Sequence, residues 1–191
     1  NDLSLINSDS LKPIIKNFVQ TNNGEAVLIN KNFTKGLALR GYKEEDFSKL
    51  QIFKKIDFQE NKKIFTGNNI AIGKELSFDL NLGIGDDVLL MSPVGEETII
   101  GNLPKQEVFK VSYIFESGLI EFDQNVAFMN IEVLENFMNL NNSNRNLEIY
   151  LINPIKINQA KDEIERIFNN SFLYTWADLN RSLFSALKVE R

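Results

Sequence analysis

Neither cysteine nor histidine occurs anywhere in the 191 residues. Without cysteine there is no disulfide framework, no thiolate zinc site, no iron–sulfur cluster and no cysteine nucleophile. Without histidine there is no Ser-His-Asp triad, no imidazole base and no histidine metal site. The missing cysteine leaves the redox compartment open, since a cysteine-free chain can live on either side of a membrane. A basic excess is missing too. The 21 Lys+Arg stand against 26 Asp+Glu, a net charge of -5, which argues against a phosphate-binding surface and a nucleic-acid partner. No run approaches the roughly 20 apolar residues that span a bilayer, and no signal-peptide pattern opens the sequence. What is present is ordinary globular composition, 43% hydrophobic and 25% charged, enough for a sizeable core.

Hydrophobic spacing predicts a mixed fold. Ser10 caps a predicted helix whose apolar positions are Leu11, Ile14, Ile15, Phe18 and Val19, ended by Asn22-Asn23-Gly24. Residues 26–29 and 36–41 read as short strands. Between 42 and 66, Phe47, Phe53, Phe58 and Phe65 are spaced as buried anchors. A helix over 74–82, closed by Gly83, precedes a strand at 88–91, and further strands are expected at 108–115 and 126–129. Ile131, Leu134, Phe137 and Met138 form one helix face. A strand at 147–152, a helix carrying Ala160, Ile164, Ile167 and Phe168, and a short strand at 172–175 follow. Asn1-Asp2-Leu3 reads as an interior start. Leu179, Leu183, Phe184 and Leu187 fit either a terminal helix or one that runs on beyond Arg191. The expected organisation is one segment inserted within another.

Three stretches invite a chemical reading. Gly83-Ile84-Gly85-Asp86-Asp87 looks like a phosphate loop, but it follows a helix and places two carboxylates where phosphate would sit; a tight helix-to-strand turn fits better. Glu116, Glu121 and Asp123 around Ser117-Gly118 resemble a carboxylate pair or hard-cation site, yet match no EF-hand spacing, and a solvated turn is preferred. The stretch from Met91 to Gln106 is far longer than the about two to five residues of a hairpin connection. It holds two prolines, two glycines and the apolar Ile99, Ile100 and Leu103. Either the tip folds back on its own domain or, the preferred reading, it is a protruding arm that docks on a partner.

These residues carry a resemblance. Ile70-Ala71-Ile72-Gly73-Lys74-Glu75-Leu76, Gly83-Ile84-Gly85-Asp86-Asp87-Val88, Pro104-Lys105-Gln106-Glu107-Val108-Phe109-Lys110-Val111 and Ile114-Phe115-Glu116-Ser117-Gly118 come in order. Phe122-Asp123 and the stretch from Trp176 to Glu190 follow. The chain resembles the extracytoplasmic domain of LolC/LolE-type lipoprotein-releasing ABC transporter permeases, of the MacB-like superfamily. The match runs from about Ile70 to the end and is looser before it.

The resemblance implies an α+β fold, the MacB-like periplasmic core. An α/β Porter-like part would come from residues 1–35 and 140–191, and a strand-rich Sabre-like part from 36–139. It implies a periplasmic domain of a bacterial inner-membrane protein, held by helices outside this sequence. Such a permease releases outer-membrane lipoproteins and hands them to the periplasmic carrier LolA, with ATP hydrolysed on a separate cytoplasmic ATPase subunit, LolD. The transporter would contain a second permease copy or a paralogue. No catalytic residue, cofactor or metal is implied. The Hook that recruits the carrier corresponds to an arm at about 93–104, with Pro93, Thr98, Ile99, Ile100, Gly101, Asn102, Leu103 and Pro104 as contacts. At the neighbouring Pad, Gln106 is retained, whereas the flanking basic positions fall on Leu89 and Glu107. The Hook prolines and the Phe115-Glu116-Ser117-Gly118 turn would suit a LolC/LolE hybrid. Two other functions compete: a MacB-like mechanotransmission or efflux domain contacting an adaptor protein, and a hydrolase using the acidic turn.

Overall fold

The computed structural model describes residues 6, 8–31, 33–58, 60, 63–98, 101–169 and 171–179. It divides into two compact units, Asn1–Phe18 with Ile149–Arg191, and Val19–Glu148. Residues 19–35 and 140–148, grouped with the chain ends in the sequence reading, thus fall in the central unit.

In the central unit β1 (Ile15–Asn30) pairs antiparallel with β2 (Phe33–Tyr42), from Thr21 opposite Tyr42 to Asn30 opposite Phe33. β3 (Asn69–Gly73), β4 (Asp87–Thr98), β5 (Gly101–Phe115) and β6 (Val126–Asn130) complete the order β2-β6-β3-β5-β4-β1. Because β1 bonds both β4 and β2, these strands close into a ring. Pairs β2–β6 and β3–β5 are parallel, so each needs a crossover. The crossover to β5 contains α1 (Lys74–Leu80), and that to β6 contains α2 (Ile120–Asn125).

Strand alternation builds the core. Leu37 and Leu39, Ile70 and Ile72, Val88 and Leu90, Phe109 and Val111, Ala127 and Met129 share one buried cluster. Leu134, Phe137 and Met138 of α3 (Ile131–Met138) join it. The neighbouring positions Tyr42 and Phe128 belong instead to an aromatic cluster with Phe47, Phe53, Phe65 and Phe115; Phe53 lies 5.0 Å from Phe128 and 5.2 Å from Phe65, ring edge to face. Three of the four expected anchors are fully buried there, and Phe58 is half-buried against Phe65.

In the other unit, β7 (Asn146–Leu151) and the start of β1 lie side by side, and Ile152 N–H donates to the Ile14 carbonyl at 2.9 Å. α4 (Ile157–Ile167) buries Ala160 and Ile164 on Leu11, with Ile14, Ile15, Ile149, Leu151 and Leu173 packed around them. Before α4, Asn153 accepts the Ile155 N–H at 3.1 Å and ends the strand. Among the described residues, no helix is long and apolar enough to cross a membrane.

Three expectations fail locally. The predicted helix from Leu11 is a turn through residues 8–14 followed by a strand. Its apolar spacing served both periods, and β-branched Ile14, Ile15, Val19 and Thr21 favour the strand. The first helix of the central unit stops before Gly83, because Asn81 takes the left-handed conformation at φ 49° and donates its N–H to Ser77 and Phe78, a role Asn shares with Gly. Residues 172–175 form no strand. Thr175 instead caps α5 (Trp176–Leu179), donating its N–H to Asp178 at 3.0 Å and accepting the Asp178 N–H at 3.1 Å, a reciprocal capping box. The predicted helical face beyond Leu179 lies outside the described residues.

Candidate functional site

The long connection is a strand ribbon. β1 flanks β4 at Leu89–Met91 and β3 flanks β5 from Lys110 onward. Towards the tip the two strands of the arm continue paired with each other, Gly95 opposite Pro104 and Thr98 opposite Gly101. Gly101 sits at φ +116°, which glycine tolerates at a hairpin end. Expected contacts Ile99 and Ile100 lie outside the described residues. Thr98 and Asn102 take their places in the ladder, the latter opposite Glu97. Pro93, Leu103 and Pro104 are exposed, Leu103 at 51%, and so is Val94 at 45%. These apolar side chains are not folded back on the domain.

Val94 and Val108 are exposed as well; strand alternation would place them so, but the prolines interrupt that pattern in the sequence. Two further groups shape the base of the arm. Between Met91 opposite Gln106 and Gly95 opposite Pro104, β4 has three residues and β5 only Lys105, a bulge. The fully buried Ser92 closes it: its hydroxyl accepts the Val94 N–H and donates to the Val94 carbonyl, both at 3.1 Å. Across the bulge the Lys105 ammonium donates to the Asn136 carbonyl in the last turn of α3 at 2.9 Å, where free carbonyls and the helix dipole favour a cation.

At the base Gln106 is exposed, with its amide 3.9 Å from the Met91 sulfur. Leu89 and Glu107 are half-buried. Glu107 accepts from the Asn68 amide at 2.7 Å, so this flank presents a carboxylate and no positive charge.

The other candidates resolve into structure. Asp123 is buried and accepts the Ser117 N–H with both oxygens, at 3.0 and 3.1 Å, and also the Ser117 hydroxyl. Glu116 pairs with Lys74 at 2.8 Å, and that hydrogen bond holds its carboxyl below the ordinary range. Among the described residues no three acidic side chains gather as a metal site. In the glycine-rich turn, Asp86 accepts the Gly83 N–H at 2.7 Å, and Gly85 at φ +97° donates its N–H to Val111 at 2.7 Å. The carboxylate fills the space a phosphate would need.

One ion pair was invisible in sequence. Glu135, 8% exposed, receives Nε and Nη2 of Arg145, each at 2.7 Å, and the Asn22 amide at 3.3 Å. The Arg145 hydrogen bonds hold its carboxyl below the ordinary 4.5; burial opposes this, and the Asn22 bond adds to it. A lowered folded-state value means stability present above pH 4.5 and lost as pH falls through that lower value. Glu135→Gln should cost about 2 kcal/mol at neutral pH through the lost charged hydrogen bonds. It should also flatten the acid limb of the stability curve, read by urea unfolding from neutral pH down to acid.

No family model matches the chain. The LolC protein of Xylella fastidiosa strain 9a5c, a lipoprotein-releasing system transmembrane protein, is 29% identical over 124 residues, 64% of this chain and 30% of that protein. The same protein of Buchnera aphidicola subsp. Acyrthosiphon pisum is 33% identical over 125 residues, 64% of this chain and 31% of its own length. The chain thus spans under a third of these relatives. Among solved structures, the extracellular domain of the noncanonic ABC-type transporter YknZ from Gram-positive bacteria aligns with TM-score 0.50 at 16% identity, covering 87% of this chain and 79% of that one. The expected resemblance and the α+β fold class both hold.

Proposed function

We propose that the chain is the periplasmic domain of an inner-membrane LolC/LolE-type permease, and that its β4–β5 arm recruits the lipoprotein carrier LolA. The observation that carries this reading is the exposed apolar ribbon, with Val94, Leu103 and two prolines open to solvent. An exposed apolar ribbon is costly unless a partner covers it. A carrier whose cavity holds acyl chains offers a matching apolar surface. The domain itself does no chemistry: it docks the carrier beside the exit of a transporter driven by its LolD ATPase and completed by a second permease copy or paralogue. The substrate is then an acylated outer-membrane lipoprotein passed to LolA. Gln106 at the base of the arm supplies a polar contact.

Replacing residues 95–104 by Asn-Gly closes the hairpin at its base with a turn of suitable type. Wild-type chain should retain LolA on an affinity column and the shortened chain should not. Equal retention by both would leave the arm without this role, and retention by neither would favour an adaptor-contacting domain. Binding should also depend weakly on salt, because Leu89 and Glu107 offer no positive charge beside the arm. Raising ionic strength from 50 to 500 mM should change the dissociation constant by less than about threefold.

A further inference from the structure

We infer that Ser92 and Lys105 are positioning residues that fix the direction of the arm, a role that rests on the carrier-docking reading above. A β-bulge bends and twists the strand that carries it. Here the bulge sits at the point where the strands leave the ring and become the ribbon, between Met91 and Gly95. An elbow at that place swings everything beyond it, including Leu103 and the tip.

The elbow is held from two sides by groups that a partner on the arm need not touch. Ser92 is fully buried, and its hydroxyl spends donor and acceptor alike on Val94 alone among the described contacts. Its placement shapes the backbone of the bulge. Lys105 is the single residue across from the bulge, and its ammonium ties that strand to the Asn136 carbonyl at the end of α3. The two Ser92 bonds set the bend and the Lys105 bond ties it to α3. Neither side chain buries apolar area that holds the core.

The consequence is preorganisation. An arm with one direction docks without an ordering cost. If loosening the elbow leaves about one tenth of molecules in the docking direction, apparent affinity falls about tenfold with every contact residue unchanged. The loss should appear mainly in the association rate, since the docked contacts are the same.

The cysteine-free chain makes the test clean, because introduced thiols are the only ones present. Nitroxide labels at Glu97→Cys near the tip and Glu132→Cys on α3 report the arm direction by pulsed electron resonance. The wild-type background should give one narrow distance distribution. Ser92→Ala and Lys105→Met, acting through different groups, should each broaden or shift it. Each should slow LolA association about tenfold and move the melting temperature by less than about 3 °C. Unchanged distributions, or unchanged LolA association in both variants while wild type binds, would overturn the positioning role alone. Failure of the wild-type chain to bind LolA would overturn the carrier reading and the positioning role together. A large fall in melting temperature would show Ser92 or Lys105 holding the fold instead, and would also overturn it.

Discussion

Gly73→Ala should lower the stability of the central unit by about 3 kcal/mol, the upper range for forced overpacking of a core. Gly73 sits at φ -73° and ψ 155°, a conformation open to any residue. The cost therefore comes wholly from contact. A Cβ there would lie 2.0 Å from the Asp123 carbonyl oxygen and 2.5 Å from its Cα. These are backbone atoms, so no side-chain rotation relieves the clash. Asp123 cannot retreat easily either: its N–H bonds the Leu119 carbonyl at 2.9 Å, and its carboxylate holds the Ser117 N–H. The helix α2 would have to leave the end of β3. Gly36→Ala is the control, since a Cβ there meets nothing within 4 Å, and strand alanine is slightly better than glycine. Thermal unfolding should place Gly73→Ala roughly 6–12 °C below wild type and Gly36→Ala at or slightly above it. Equal melting of the two variants would show that the close approach of β3 to α2 is wrong.

That contact illustrates what could be read from the sequence and what could not. Lys74 was legible as a helix start, but the strand before it was not, and nothing local says that the backbone of Asp123 lies against Gly73. Strong single-period segments were legible: Val108 to Phe115, Val126 to Met129, and the faces of α3 and α4 all appear where their spacing puts them. Leu11 to Val19 misled because its apolar residues satisfy the helical rule while their neighbours in space make a strand. Asn81 outcompeted Gly83 as a helix end because asparagine also reaches the left-handed region, at two residues' shorter helix length. The arm was legible as a long connection with exposed apolar groups, yet its two prolines hid the ladder, since proline breaks strand pattern recognition more than it breaks a ribbon. Nothing in the sequence marks Ser92. Its burial and its two bonds to Val94 depend on the bulge, which only the pairing of β4 with β5 defines. The Glu135–Arg145 pair depends likewise on how the polar run after α3 folds back.

The second large effect concerns the arm itself. Ile100→Asp combined with Leu103→Asp should weaken LolA binding by at least about tenfold, or roughly 1.4 kcal/mol. Leu103 is half exposed in the free chain, so docking can still bury much of it. A fully buried leucine or isoleucine contributes roughly 1.5–3 kcal/mol, and a carboxylate in its place adds a desolvation cost. The true loss should therefore exceed the tenfold minimum. Stability should hardly change, because Leu103 is exposed and supports no core.

The most direct test of carrier recruitment is calorimetric titration of the purified chain with LolA of the same organism, wild type against the Ile100→Asp, Leu103→Asp double variant, each checked by thermal melting. Arm docking predicts saturable wild-type binding, affinity weaker by about tenfold or more in the variant, and matching melting temperatures. Equal affinity in the two chains, at matching melting temperatures, would contradict it.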